Sequence, residues 1–127
     1  MKYDEIEIGQ STRLTKWVKP ELIEKFIETC GDDNSVHTKG KKPIAHGALI
    51  ISFISAVIGK QLPGDGAIIS SLNFRFVLPV YVWDQIIIIA TVKDKDEKTK
   101  NIRLLLEVFN EKDDLCVSGS AIVKVQE

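Results

Sequence analysis

The chain has 127 residues, 44% hydrophobic and 28% charged, and its 17 basic and 18 acidic side chains leave a formal charge of -1. That length suits a single globular domain over residues 1–127 with a sizeable core, and the apolar content argues against disorder. Near-zero charge, with no basic residues interleaved with stacking aromatics, makes nucleic acid a poor partner.

The opening stretch MKYDEIEIGQ is acidic and alternating, with no apolar run after a basic start, so it does not resemble a signal peptide and a cytoplasmic protein is expected. Residues 2–8 and 12–18 alternate loosely and read as two short extended segments joined by Gly-Gln-Ser. KPELIEKFIETC follows as an amphipathic helix: Pro20 suits its first position, Glu21 and Glu24 suit its positive end, and Leu22, Ile23, Phe26 and Ile27 share one face. Gly31 ends that helix, and the segment to Pro43 is too rich in Gly, Asp, Asn and Lys to be regular.

From His46 to Ile58 apolar residues occur all round the helical wheel, broken only by Ser52 and Ser55, which predicts a helix buried on nearly every side. The surrounding stretch PIAHGALIISFISAVIG falls short of the roughly 20 residues of a membrane span, so no membrane association is expected. AIISSLNFRFVLP, QIIIIATV, NIRLLLEVF and LCVSGSAIVKV are β-rich runs separated by charged or Gly-containing turns, with KDKDEKTK short enough to be a hairpin tip. IIIIA hardly alternates, which predicts a strand that is central or at a subunit contact. The predicted class is α+β, an antiparallel sheet wrapped around a long central helix. Cys30 and Cys116 stand alone, without zinc or disulfide spacing.

The residues that carry chemistry lie in TCGDDNSVHTKGKKPIAHG, at positions 29–47. Asp32 and His37 could converge on one water as a general base and its polarising partner. Gly47, at the start of the central helix, could turn its N–H towards an oxyanion, helped by the positive helix end and by its missing side chain. Beside this stands the plainer explanation that Asp and Asn after a helix-ending Gly are turn and capping residues. His37 and His46 with Asp32 match no metal-site spacing, and neither metal nor other cofactor is expected. Ser52 and Ser55 are most simply hydroxyls bonding back to helix carbonyls, and no G-x-S-x-G surrounds them.

Gly31-Asp32-Asp33-Asn34-Ser35-Val36-His37 resembles the motif G/S-D-x-N-P-(I/L/V)-H, and Pro43-Ile44-Ala45-His46-Gly47-Ala48-Leu49 resembles P-I-(A/V)-H-G-(M/A)-L. With GKQLPGDGAI and the F-x-x-P at Phe76–Pro79, these resemble the MaoC-like dehydratases, and among them the (R)-specific enoyl-CoA hydratases of hot-dog fold, over about residues 6 to 125. The resemblance implies Asp32 as catalytic acid/base, His37 as its partner, Gly47 as donor to the thioester oxygen, Asn34 shaping the loop and Ser55 supporting the pair. It also implies a homodimer acting on an acyl-CoA or acyl-carrier-protein thioester. Two departures stand out: Ser35 replaces the motif's Pro, and the link Thr38–Lys42 is several residues shorter than in such relatives, so part of the usual cover of the site is expected to be absent. A non-catalytic acyl-CoA or acyl-carrier-binding protein, or a thioesterase of the same fold, are the alternatives.

Overall fold

Alternation at the N-terminus misleads. In the computed structural model, which describes residues 1–126, Tyr3–Glu5 form one 3-10 turn where an extended segment was expected over residues 2–8. The Glu5 carboxylate accepts from the Lys2 N–H at 2.7 Å, and Tyr3 is buried, so local capping and burial override the strand-like pattern. β1 (Ser11–Trp17) then follows as expected. α1 (Pro20–Cys30) begins on Pro20 and ends on Gly31, whose φ of 84° is the left-handed conformation that lets its N–H return to the Ile27 carbonyl at 2.7 Å.

The segment expected to be irregular contains one helical turn, α2 (Ser35–Thr38), before α3 (Gly47–Lys60). Four strands complete the chain: β2 (Ile68–Phe76), β3 (Gln85–Asp96), β4 (Asn101–Phe109) and β5 (Leu115–Lys124). They form one antiparallel sheet in the order β1-β3-β4-β5-β2. The IIIIA strand lies inside the sheet, as predicted. The charged tract forms the end of β3 and the turn into β4, where Asp96 Oδ1 accepts from the Lys98 and Thr99 N–H groups.

Period-two burial builds the inner face: Ile86, Ile88, Ala90 and Val92 on β3 are fully buried, as are Ile102, Leu104, Leu106 and Val108 on β4. α3 lies across it and contacts β3 and β1. Its buried residues are Leu49, Ile50, Phe53, Ile54, Val57 and Ile58, each burial contributing about 1.5–3 kcal/mol for a side chain of that size. The helix is not buried on nearly every side, however. Ser52, Ser55, Ala56 and Gly59 remain exposed along one stripe, because five strands cover only the face turned to the sheet. Among the described residues no helix is long and apolar enough to cross a membrane.

Candidate active site

Short polar side chains fold the loop after α1 onto itself. Asp32 donates its N–H to Cys30 Sγ (3.4 Å), and its Oδ1 accepts from the Asn34 N–H (3.1 Å). Asn34 is the N-cap of α2: its Oδ1 accepts from the Val36 N–H at 3.1 Å. This Asn cap starts the helical turn even though Ser35 has replaced the proline that would have fixed φ at the first position. The turn delivers His37.

The short link closes the loop onto the helix start. Ile44 donates its N–H to the Val36 carbonyl (2.8 Å), and His37 Nδ1–H donates to the Ile44 carbonyl (2.6 Å). Five residues, Thr38–Lys42, therefore suffice to join the two motifs. On its other side the Pro43–Ala45 segment pairs with residues 80–82: the Ala45 N–H donates to Val80 at 2.7 Å and the Val82 N–H to Pro43 at 2.9 Å. His46 then caps α3, and the first free helical N–H groups follow from Gly47.

His37 and Gly47 line one cavity of about 390 Å3, walled by Ile44, Phe76, Pro79 and Val80. A Cβ on Gly47 would lie 2.8 Å from the Phe76 ring, so the absent side chain is what keeps the helix start open to this space. The Ile44 carbonyl fixes the His37 proton on Nδ1, leaving the Nε2 lone pair facing Asp32 Oδ2 at 3.6 Å. That separation exceeds a hydrogen bond, and in the neutral imidazole both atoms are acceptors. They suit a water molecule that donates one hydrogen to each. Asp32 is 54% exposed and His37 13%, so solvent reaches the pair from the carboxylate side.

Two residues fall differently from expectation. Ser55 lies on the exposed stripe of α3 and is not in the cavity lining, whereas Ser52 Oγ donates to the Leu49 carbonyl at 2.6 Å. His46, to which sequence reasoning gave no role beyond a dismissed metal ligand, is 2% exposed and stacks on His37 with ring centroids 3.7 Å apart and planes 20° from parallel. Its Nε2–H donates to the Asp32 carbonyl at 2.8 Å. Asp32, His37 and His46 do place ligand-type atoms within 4.8 Å of one another. Stacked imidazoles aim their lone pairs side by side: planes so nearly parallel meet only on the order of 10 Å away, against the ~2.0–2.1 Å of an imidazole–metal bond. The cluster is shaped for ring contact and not for chelation.

The chain is similar to known proteins over nearly its whole length. No family model matches the chain. An (R)-specific enoyl-CoA hydratase of Aeromonas caviae is 32% identical over 133 residues, covering 98% of this chain and 99% of the relative. The chain belongs to the family of (R)-specific enoyl-CoA hydratases. A 3-hydroxybutyryl-CoA dehydratase of Methylorubrum extorquens is 30% identical over 97% of this chain and 83% of its own. The unliganded structure of an R-hydratase from Pseudomonas aeruginosa superposes with a TM-score of 0.93 at 33% identity, covering 99% of this chain and 86% of the other. The sheet around α3 is thus the hot-dog fold of these hydratases, and the two motif segments lie at the same end of it.

Proposed function

We propose that this chain, folded as one domain, is an (R)-specific enoyl-CoA hydratase, a hydro-lyase that adds water across the trans-2 double bond of an acyl-CoA thioester. The observation that carries the reading is the approach of Asp32 Oδ2 to His37 Nε2 at 3.6 Å, with His37 and the open helix start at Gly47 lining one cavity. The Gly47 N–H and the positive end of α3 polarise the thioester carbonyl, which makes C3 electrophilic; one such donor contributes about 2.7–4 kcal/mol to an oxyanion transition state. His37 Nε2 accepts one hydrogen of the water and orients it. Asp32 takes the other as a proton while the water oxygen bonds to C3, and the double-bond electrons move through C2 onto the carbonyl oxygen. Asp32 then returns its proton to C2 on the same face, the carbonyl re-forms, and the (R)-3-hydroxyacyl thioester leaves with the carboxylate restored. Dehydration runs the same steps backwards.

The working unit in this proposal is a cytoplasmic homodimer. β2 is an edge strand whose outer backbone edge has no partner strand among the described residues, and Ile68, Leu72 and Phe76 along it are 50%, 41% and 56% exposed. A long apolar edge of this kind is a template for pairing, and a second copy covers it. Phe76 also walls the cavity, so the same contact would complete the site. The test is hydration of crotonyl-CoA, followed as loss of enoyl absorbance with chiral analysis of the product. The reading expects (R)-3-hydroxybutyryl-CoA; no turnover by the folded protein, or the S product, overturns it.

A further inference from the structure

We propose that His46 is the positioning residue of the site, holding Asp32 by its backbone and His37 by its ring face so that the acid/base pair and the helix start form one rigid unit. Three contacts converge on this one side chain. Its Nε2–H donates to the Asp32 carbonyl (2.8 Å), its face stacks on His37 (3.7 Å between centroids), and Phe26 of α1 packs against it tilted by 59° at 4.9 Å. Its own backbone is the N-cap of α3, one residue before Gly47. Both groups proposed to handle the water are therefore referenced to the element that carries the oxyanion donor.

A histidine is a costly residue to place there merely as filler. The ring is 2% exposed, and among the described residues its Nδ1 has no hydrogen-bond partner. A buried acceptor without a donor destabilises the fold, a penalty that phenylalanine or leucine in the same space would not carry. What an imidazole supplies, in a space no larger than phenylalanine would fill, is a flat face combined with an N–H at its edge. The Asp32 carbonyl accepts only, so it fixes the His46 proton on Nε2 just as Ile44 fixes the His37 proton on Nδ1. The two rings thus lie stacked in opposite tautomers. Without the His46 face, the hydrogen bond to the Ile44 carbonyl is left to hold the His37 ring by one edge, and each opening of that bond lets the ring turn about χ2, carry Nε2 away from Asp32 and exchange its tautomer; without the His46 N–H, the Asp32 carbonyl loses its anchor and the carboxylate moves with it.

This inference rests on the hydratase reading for its kinetic readout only. The experiment compares His46→Ala, His46→Phe, which keeps a ring face but no donor, and His46→Gln, which keeps a donor but no ring. Each is assayed for crotonyl-CoA hydration, and the His37 ring is observed by long-range 1H–15N correlation in the free protein. The expected result for His46→Ala is a fall in kcat of about 10²-fold with KM within about threefold of the parent, the pattern of a misplaced catalytic group. His37 should change from a single Nδ1–H tautomer to a mixture. Phenylalanine and glutamine should each restore part of kcat and neither the whole. A kcat within about twofold of the parent in His46→Ala or His46→Phe overturns the proposal, as does a loss of activity with the His37 signal unchanged. If His46→Ala does not fold, the other two variants carry the same comparison. An inactive parent protein would refute the hydratase reading alone, because the tautomer measurement needs no substrate and still decides the role of His46.

Discussion

The 2.6 Å hydrogen bond from His37 Nδ1–H to the Ile44 carbonyl ties the Asp32–His37 loop to the segment that starts α3. Because that carbonyl holds the proton on Nδ1, the opposite nitrogen is left as a base towards Asp32, 3.6 Å away. Replacing Asp32 with Asn or His37 with Ala should each lower kcat for crotonyl-CoA by about 10²–10⁴-fold, the range of a general acid–base contribution. Asp32→Asn should barely change the thermal midpoint, since the new side-chain carbonyl can still accept from the Asn34 N–H. Steady-state kinetics with a melting curve on each variant check both parts.

At Gly47 the prediction separates folding from chemistry. An added Cβ would lie 2.8 Å and 2.9 Å from two atoms of the Phe76 ring, but in the single chain that ring is 56% exposed and has room to swing aside as the chain folds. Gly47→Ala should therefore fold, and lose activity because the methyl group occupies the approach to the N–H. The double variant Gly47→Ala, Phe76→Ala should not recover the rate. Recovery would mean that Phe76 crowding, and not access to the helix start, set the loss.

Gly119 presents the opposite case. A Cβ there would overlap the Asn73 carbonyl oxygen and crowd Phe74, where β5 pairs with β2. Backbone atoms in a ladder cannot turn aside as an exposed ring can. Gly119→Ala should cost at least about 1–3 kcal/mol, as overpacking does, and loosen the strand that carries Phe76 into the cavity wall. Urea unfolding of the variant measures it; an unchanged midpoint would show that the two strands can part without cost.

Much of this architecture is legible in the sequence because it is local and periodic. Pro20 and Gly31 mark the ends of α1, and the charged tract after Val92 marks a hairpin. What escapes has a physical reason in each case. Tyr3–Glu5 alternates like a strand, yet a single carboxylate bonded to Lys2 and the burial of one ring decide its turn. Ser35–Thr38 is too short to show helical periodicity, so Asn34 reads as a turn or capping residue without the helical turn it starts. The open stripe of α3 depends on how much of the helix the sheet covers, which no helical wheel reveals. His46 is the clearest miss: its stack on His37, nine positions earlier, exists only once the short link has closed, and the lack of metal-type spacing had removed the pair from view.

The two cysteines should behave as opposites. Cys30 is exposed and Cys116 buried, and burial, reinforced by the Asp84 carboxylate, pushes the Cys116 thiol above its usual range. The thiolate is the reactive form, so a disulfide reagent at neutral pH should modify Cys30 alone, with Cys116 reacting only on unfolding. The sign of the linkage follows. The folded state holds the Cys116 proton more tightly than the unfolded chain, so this contribution to stability is complete at neutral pH. It is lost as pH rises through the raised folded value. Thiol titration in native buffer and in denaturant, with melting curves at neutral and alkaline pH, checks both statements.

The edge of β2 supplies the last prediction. If a second copy pairs there, placing a charge on the exposed apolar row should prevent pairing without disturbing the core, since Leu72 is 41% exposed in the single chain. Leu72→Lys should therefore shift the protein from dimer to monomer in sedimentation equilibrium while keeping its circular dichroism spectrum. Activity should fall with the dimer, because Phe76, four residues along the same strand, walls the cavity and would lose its cover. A parent chain that sediments as a monomer, or a Leu72→Lys dimer as stable as the parent, would place the contact elsewhere. A fully active monomer would show that one copy forms the whole site, with Phe76 needing no partner to hold it against Gly47.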